Sequence, residues 1–231
     1  YYATVRLQES AYWTEKTIYP TFTIKPREVS VVDLVAQAKV YDGTTNANIQ
    51  EIILNDAEVN STTGLPTDGK GIIDGDSVYA VGTGYTSQAA AGTADLGVKN
   101  VTLMGDDAAN YDLTSYSHTE KFNIQRSQVK GAIVSGRTYK YTGKDIKLAA
   151  SDIYLIDQAG NQLTDYKVTY YYHNGDGVEK VDAMNKMGKY TVIARPEQDN
   201  YKGGATETVY VGNTDAPGTL DNSAKSSLIT I

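Results

Sequence analysis

This chain of 231 residues contains no cysteine. That excludes a disulfide framework, a thiolate metal site and a cysteine nucleophile in one stroke. Histidine is nearly absent as well, with His118 and His173 the only two, and no G-x-S-x-G elbow offers a serine nucleophile a strained turn on which to stand. Basic residues are outnumbered, Lys+Arg 21 against Asp+Glu 28, and nowhere form a run, so a polyanion would be repelled rather than gathered. Nucleic acid is therefore not an expected partner. No apolar run approaches the roughly 20 residues that a helix needs to cross a bilayer, so this segment is not expected to enter a membrane. Phe (2) and Trp (1) are scarce beside 19 Tyr. Tyrosine favours strands and tolerates a position with one dry and one wet end, which fits the rims of thin β-sandwiches; a sugar-stacking surface is the competing use.

What is present is a pattern written three times. Ala3-Thr4-Val5-Arg6-Leu7, Tyr12 and Phe22-Thr23-Ile24 are echoed by Val101-Thr102-Leu103, Asn110-Tyr111 and Phe122-Asn123-Ile124, and again by Tyr190-Thr191-Val192-Ile193-Ala194, Asn200-Tyr201 and Val209-Tyr210-Val211. Each copy alternates apolar and polar residues, crosses a polar loop carrying one Tyr, and alternates again, which spells a half-buried hairpin. Self-similarity at this period implies stacked units. No stretch has a helical period. The fold class expected is all-β, as tandem immunoglobulin-like β-sandwich modules.

The spacing divides the chain into four parts. Residues 1–26 read as the closing hairpin of a preceding module, with strands over Tyr2–Leu7 and Thr21–Lys25, so that the chain reads as a piece of a longer polypeptide. Residues 27–125 form a first complete module, with strands expected at Val29–Val35, Ile49–Leu54, Ser77–Val81, Tyr85–Ser87, Val98–Leu103 and Lys121–Ile124. Residues 126–213 form a second, with strands at Ala132–Ser135, Thr138–Tyr141, Ile153–Asp157, Tyr166–Tyr172, Lys189–Ala194 and Thr206–Val211, and hairpin turns at Ala159-Gly160-Asn161 and Asn174-Gly175-Asp176-Gly177. Gly188-Lys189-Tyr190, with Asp182 upstream, has the pattern of a tyrosine corner, in which the hydroxyl returns to a backbone group before its own strand. Residues 214–231 read as a linker with a possible strand at Ser226–Ile231. Short joints at Ile24–Arg27 and Ile124–Ser127 imply a semi-rigid rod.

From Lys39-Val40-Tyr41-Asp42-Gly43-Thr44-Thr45-Asn46-Ala47 through Ile73-Asp74-Gly75-Asp76-Ser77-Val78 and Gly82-Thr83-Gly84-Tyr85 to Gly105-Asp106-Asp107-Ala108-Ala109-Asn110-Tyr111-Asp112-Leu113, the chain resembles the YDG module family over about residues 38–114. Residues 131–211 resemble more loosely the MBG and bacterial Ig-like modules, through Tyr139-Lys140-Tyr141-Thr142-Gly143 and Asn200-Tyr201-Lys202-Gly203. The resemblance implies repeat units of bacterial cell-surface or secreted adhesin-type proteins, hence an extracellular location and a structural role as stalk or spacer. It brings no catalytic or ligand residues. An insertion at Asn55–Lys70 departs from the family pattern and leaves room for a specialised loop.

Each candidate for chemistry has a plainer structural reading. His118 lies in a Ser/Thr/Tyr-rich loop and His173 near a hairpin turn, and neither has a nucleophile and orienter beside it in sequence. Gly82-Thr83-Gly84 lacks the helix that would aim at a phosphate, and Thr142-Gly143-Lys144 is followed by Asp145 where a magnesium-binding Ser or Thr belongs, so both are expected to be turns. Asp74, Asp76, Asp106 and Asp107 are hard oxygen donors, but calcium takes six to eight oxygens and no EF-hand spacing is present. An internal isopeptide bond would need a buried Lys beside an acid, with Lys39 or Lys130 as candidates. Tyr85, Tyr171 and the loop around Leu65-Pro66 are the candidate glycan contacts, and Tyr170-Tyr171-Tyr172 must send its rings alternately to opposite faces. The expectation is accordingly of no enzyme, no catalytic, metal or cofactor-binding residue and no cofactor. The partners expected are neighbouring modules of the same polypeptide, with host or environmental glycans or proteins as further ones. A carbohydrate-binding accessory module of a surface protein or secreted glycan-active enzyme is the alternative function.

Overall fold

A computed structural model describes residues 3–7, 16–133 and 138–213. Tyr12, the end of the strand expected at Ala132–Ser135, and the segment 214–231 lie outside these residues. The protein is all-β, of sandwich type. Among the described residues the only helical turns are two short 3-10 turns, Ala108–Asn110 and Ala150–Asp152.

The chain begins with a two-stranded antiparallel ladder of β1 (Val5–Leu7) and β2 (Lys16–Ile18), with Val5 opposite Ile18. The second strand expected at Thr21–Lys25 is not formed, and Phe22 and Ile24 are exposed. The partner of β1 lies earlier than expected, at Lys16–Ile18, and Pro20 has no N–H with which to carry the ladder on towards Thr21.

Next come β3 (Arg27–Ala36), β4 (Lys39–Val40), β5 (Asn46–Ala47), β6 (Ile49–Leu54), β7 (Tyr79–Thr86), β8 (Gly92–Met104), β9 (Tyr111–Ser115) and β10 (Thr119–Gln125). They make a three-stranded sheet in the order β6-β3-β9 and a five-stranded sheet in the order β4-β10-β8-β7-β5. Where two strands were expected at Ser77–Val81 and Tyr85–Ser87, β7 runs without a break, and Gly82-Thr83-Gly84 lies inside it rather than in a turn. The reason is room. A Cβ on Gly84 would come within 2.5 Å of the Ile49 side chain and 2.6 Å of the Ala47 carbonyl oxygen, so glycine allows close backbone approach within the ladder.

The remaining strands are β11 (Ser127–Ile133), β12 (Thr138–Lys140), β13 (Ile153–Ile156), β14 (Tyr166–Asn174), β15 (Gly177–Val181), β16 (Gly188–Pro196) and β17 (Tyr201–Gly212). They form a seven-stranded sheet in the order β13-β11-β17-β16-β14-β15, with β12 also on β17. The β14–β15 hairpin pairs Asn174 with Gly177 across Gly175-Asp176, so the expected turn is present and is followed by a strand that the polar run Val178-Glu179-Lys180 had concealed.

Two compact units result: one of Tyr1–Gln37, Asn46–Tyr85 and Leu96–Glu120, the other of Ala38–Thr45, Thr86–Asp95 and Lys121–Ile231. In the first, Val29, Val31, Leu34, Ile52, Leu54, Leu96 and Tyr111 are buried. In the second, a core cluster gathers Val129, Leu155, Tyr170, Met184, Tyr190, Val192, Ala194 and Val209, among others. Tyr190, Val192 and Ala194 follow the period of two on β16 and are fully buried. Each large apolar side chain so placed contributes about 1.5–3 kcal/mol of transfer free energy.

The tyrosine corner is present. Tyr190 Oη donates to the Lys186 carbonyl and accepts from the Lys186 N–H, both at 2.9 Å. A Phe could fill the same volume but would strand both backbone groups. Burial, opposed by the backbone hydrogen bonds, pushes the Tyr190 phenol pKa up.

Candidate functional site

The Tyr41-Asp42-Gly43 block builds a turn centred on Asp42 Oδ1. Asp42 Oδ1 accepts from the Thr44 N–H at 2.8 Å and from the Thr44 hydroxyl at 2.9 Å, closing an Asx turn. The same oxygen accepts from Lys39 Nζ at 2.7 Å. Gly43 between them has φ +77°, a conformation that a side chain would strain. Partial burial raises the Asp42 pKa, but the Lys39 ammonium and the two Thr44 donors outweigh it, so the carboxyl ends below its usual range. Lys39 is buried while half of the Asp42 side chain meets solvent, which makes the pair a charged, hydrated contact; an isopeptide bond needs a neutral amine facing an acid in dry surroundings. Lys130, the other candidate, is exposed. The Tyr41 ring meets Tyr201 edge-on at 5.3 Å. Burial and the neighbouring Tyr41 push the Tyr201 phenol up.

The acidic turns are also occupied. Tyr111 Oη donates to Asp76 Oδ2 at 2.5 Å and accepts from the Ile73 N–H at 3.0 Å. Burial first, and the hydrogen bond to Asp76 second, raise the Tyr111 pKa. Asp107 Oδ2 accepts from the Ser77 N–H at 2.9 Å. Two of the four turn carboxylates thus hold backbone or a phenol. Asp74, Asp76, Asp106 and Asp107 do not converge as a ligand set among the described residues. His173 Nε2 is 2.8 Å from Thr191 Oγ1 across the β14–β16 ladder, a contact that fixes the ring.

The proposed sugar contacts are scattered. The Tyr85 ring lies over Gly97, where a Cβ would come within 2.7 Å of it, and Lys99 Nζ sits 5.9 Å from its centroid. Leu65 is exposed on the inserted loop, which is tied down by Arg27 donating to the carbonyls of Asp68, Lys70 and Gly71. Tyr170 is buried, its hydroxyl accepting from the Leu148 N–H at 2.9 Å, whereas Tyr171 is half-buried. An open cleft of about 620 Å³ is lined by Arg126, Arg195, Lys202 and Asp199 with Tyr201 and Gly203.

One group of side chains stands apart because its charges face one another. Among the described residues, Asp33, His118 and Glu120 form the sole set of three potential metal ligands, their ligand atoms all within 4.8 Å of one another. Strand alternation from Val29 and Val31, both buried, would turn Asp33 into the core. It does not, because the β3–β6 register shifts between Val31 and Asp33. The extra residue, Val32, is a β-bulge that sends Asp33 outward and gives its inward place to Leu34, which is buried. Asp33 Oδ1 then accepts the Leu34 N–H at 2.8 Å and lies 4.0 Å from His118 Nε2. Glu120, half-buried at the start of β10, brings its carboxylate close to that of Asp33. Burial raises the Glu120 pKa most, the hydrogen bond and charge of Asp33 raise it further, and His118 pulls it the other way. Such a set can hold a proton or a cation between its carboxylates.

The reading of His118 as a solvated loop residue missed this set. One signal was available: His118-Thr119-Glu120 has the spacing of two that puts both side chains on one face of an extended chain. Asp33 carried no signal, since the bulge reverses the face its position implies.

Residues 25–119 match the YDG domain. The match begins and ends beyond the 38–114 span of the motif blocks, taking in Asp33 and His118. No curated protein matches this chain.

Proposed function

We propose that this chain is a set of non-catalytic stalk or spacer modules from a bacterial cell-surface or secreted adhesin-like protein, with the YDG domain followed by an MBG or bacterial Ig-like module over residues 126–213. The observation that carries this reading is the use made of the motif residues. Tyr41, Asp42, Gly43, Asp76, Asp107 and Tyr111, the residue types that could have served a ligand, are engaged in turns, backbone contacts and ring packing. A module that uses these signature residues for turns and packing is suited to bearing load and setting distance. The matching YDG domain and the all-β sandwich fold are in keeping with it. The test is a replacement in the parent protein: an unrelated sandwich array of equal length substituted for this segment should leave adhesion unchanged. Loss of adhesion with display at the surface intact would sink the spacer reading.

A carbohydrate-binding accessory role is the second reading, and the cleft bearing Arg126, Arg195 and Lys202 favours it, because cationic donors on an open surface suit an acidic sugar. A glycan array separates the two. Retention of acidic glycans that Arg195→Ala abolishes and Tyr171→Ala spares would favour binding over reach.

A further inference from the structure

We propose that Asp33, His118 and Glu120 bind a single divalent transition ion of the zinc class, which staples strand β3 to His118 just before β10 and to Glu120 at the start of β10. Zn–N and Zn–O bonds of about 2.0–2.2 Å set ligands in one shell roughly 3–4 Å apart. Ligand atoms within 4.8 Å of one another need only small side-chain rotations to reach that spacing. All three residues have solvent on one side to permit them, the Asp33 side chain being 54 % exposed and that of His118 29 %.

Ligand chemistry selects the metal. An imidazole with two carboxylates suits zinc and its neighbours, whereas calcium and magnesium require shells of oxygen that three residues, one of them a nitrogen donor, do not supply. The electrostatics select for a cation as well. A dication placed among ligand atoms this close together is attracted to both carboxylates at once.

The backbone has been shaped to bring the set together. Without the bulge at Val32, Asp33 would point into the core; with it, a residue early in the module reaches two that lie far along the chain. Bulges recur where a strand must re-aim one side chain. In a chain without cysteine, a metal linking such distant segments takes the place that a disulfide fills elsewhere in small modules. The exposed parts of Asp33 and His118 leave room for water to complete the shell. This inference is independent of the spacer reading, because it concerns only the stability of the module.

The experiment is isothermal titration of the whole chain with zinc chloride in a non-chelating buffer, repeated with calcium and magnesium chloride and with the variants Asp33→Asn, His118→Ala, Glu120→Gln and, as control, His173→Ala. The expected result is one zinc per chain, a melting temperature raised by zinc and not by equal calcium or magnesium, and unchanged binding in His173→Ala. Loss of an outer-shell partner alone weakens a metal site by about 10–100-fold, so each ligand variant should lose at least tenfold in affinity. Metal-free melting and circular dichroism establish that each variant is folded. NMR of the unmodified chain gives a readout that needs no variant: zinc should shift the His118 ring resonances and leave those of His173 in place. Absence of stoichiometric zinc uptake, uptake that survives His118→Ala, or a shift confined to His173 would overturn the proposal.

Discussion

The Lys39–Asp42–Thr44 turn and the Asp33–His118–Glu120 group use similar side chains to opposite effect. In the turn, one carboxylate meets an ammonium and two donors within five residues of sequence. In the group, two carboxylates and one histidine lie with their ligand atoms within 4.8 Å of one another. Charge compensation is complete in the first and incomplete in the second. A group left uncompensated on a backbone bent to assemble it points to something bound, whereas a compensated one points to stability. Neutralising an acid should therefore change sign between the two sites.

The largest effect expected is at the turn. Asp42→Ala removes three hydrogen bonds and leaves the Lys39 ammonium buried without its partner, which should cost about 1–2 kcal/mol after allowing for the solvent that already screens Asp42; urea denaturation measures it. A similar value for Asp42→Ala in a chain already carrying Lys39→Met would break the comparison, because it would show that the pairing itself contributes nothing. Acid sharpens the same point. The folded Asp42 pKa lies below its ordinary 3.8, so the contribution is fully present above that value and is lost as pH falls through the folded pKa. The melting-temperature gap between the native chain and Asp42→Asn should accordingly be constant near neutrality and close on acidification below about pH 4.

Gly43→Ala comes next. Nothing stands within 4 Å of the added methyl, so the cost is conformational alone, from φ +77°, and should be about 1 kcal/mol. The smallest effect has the opposite sign: Glu120→Gln in metal-free buffer relieves like-charge contact and should stabilise the chain by about 0.5 kcal/mol at neutral pH. The same substitution should become destabilising when zinc is present, and an effect of one sign in both buffers would separate the group from any role in holding a cation.

Much of the fold could be read from local pattern. The period-two runs on β14 and β16 announced themselves, as did the hairpin at Gly175-Asp176 and the corner at Tyr190, because each depends on residues within a few positions of one another. β9 and β15 escaped. Tyr111–Ser115 is short, with Tyr111 its one buried residue, and Gly177–Val181 is largely exposed, so neither gives a long alternating run. The glycines of β7 were misleading for a related reason: in sequence they look like a turn, and only the closeness of Ile49 and Ala47 explains them as strand residues. β2 escaped as well: the alternation of Phe22-Thr23-Ile24 placed the second strand at Thr21–Lys25, whereas the partner of β1 is Lys16–Ile18.

Composition and local spacing were enough to decide an all-β chain, the turn chemistry of the Tyr41-Asp42-Gly43 block and the resemblance of its opening module, because propensity, alternation and Asx turns act over a few residues. Which side chains meet across the sheets was left to the tertiary structure, and the Asp33–His118–Glu120 group most of all. A one-residue bulge changes the face of everything beyond it, and a bulge arises from the pairing of two strands rather than from the residues of either one.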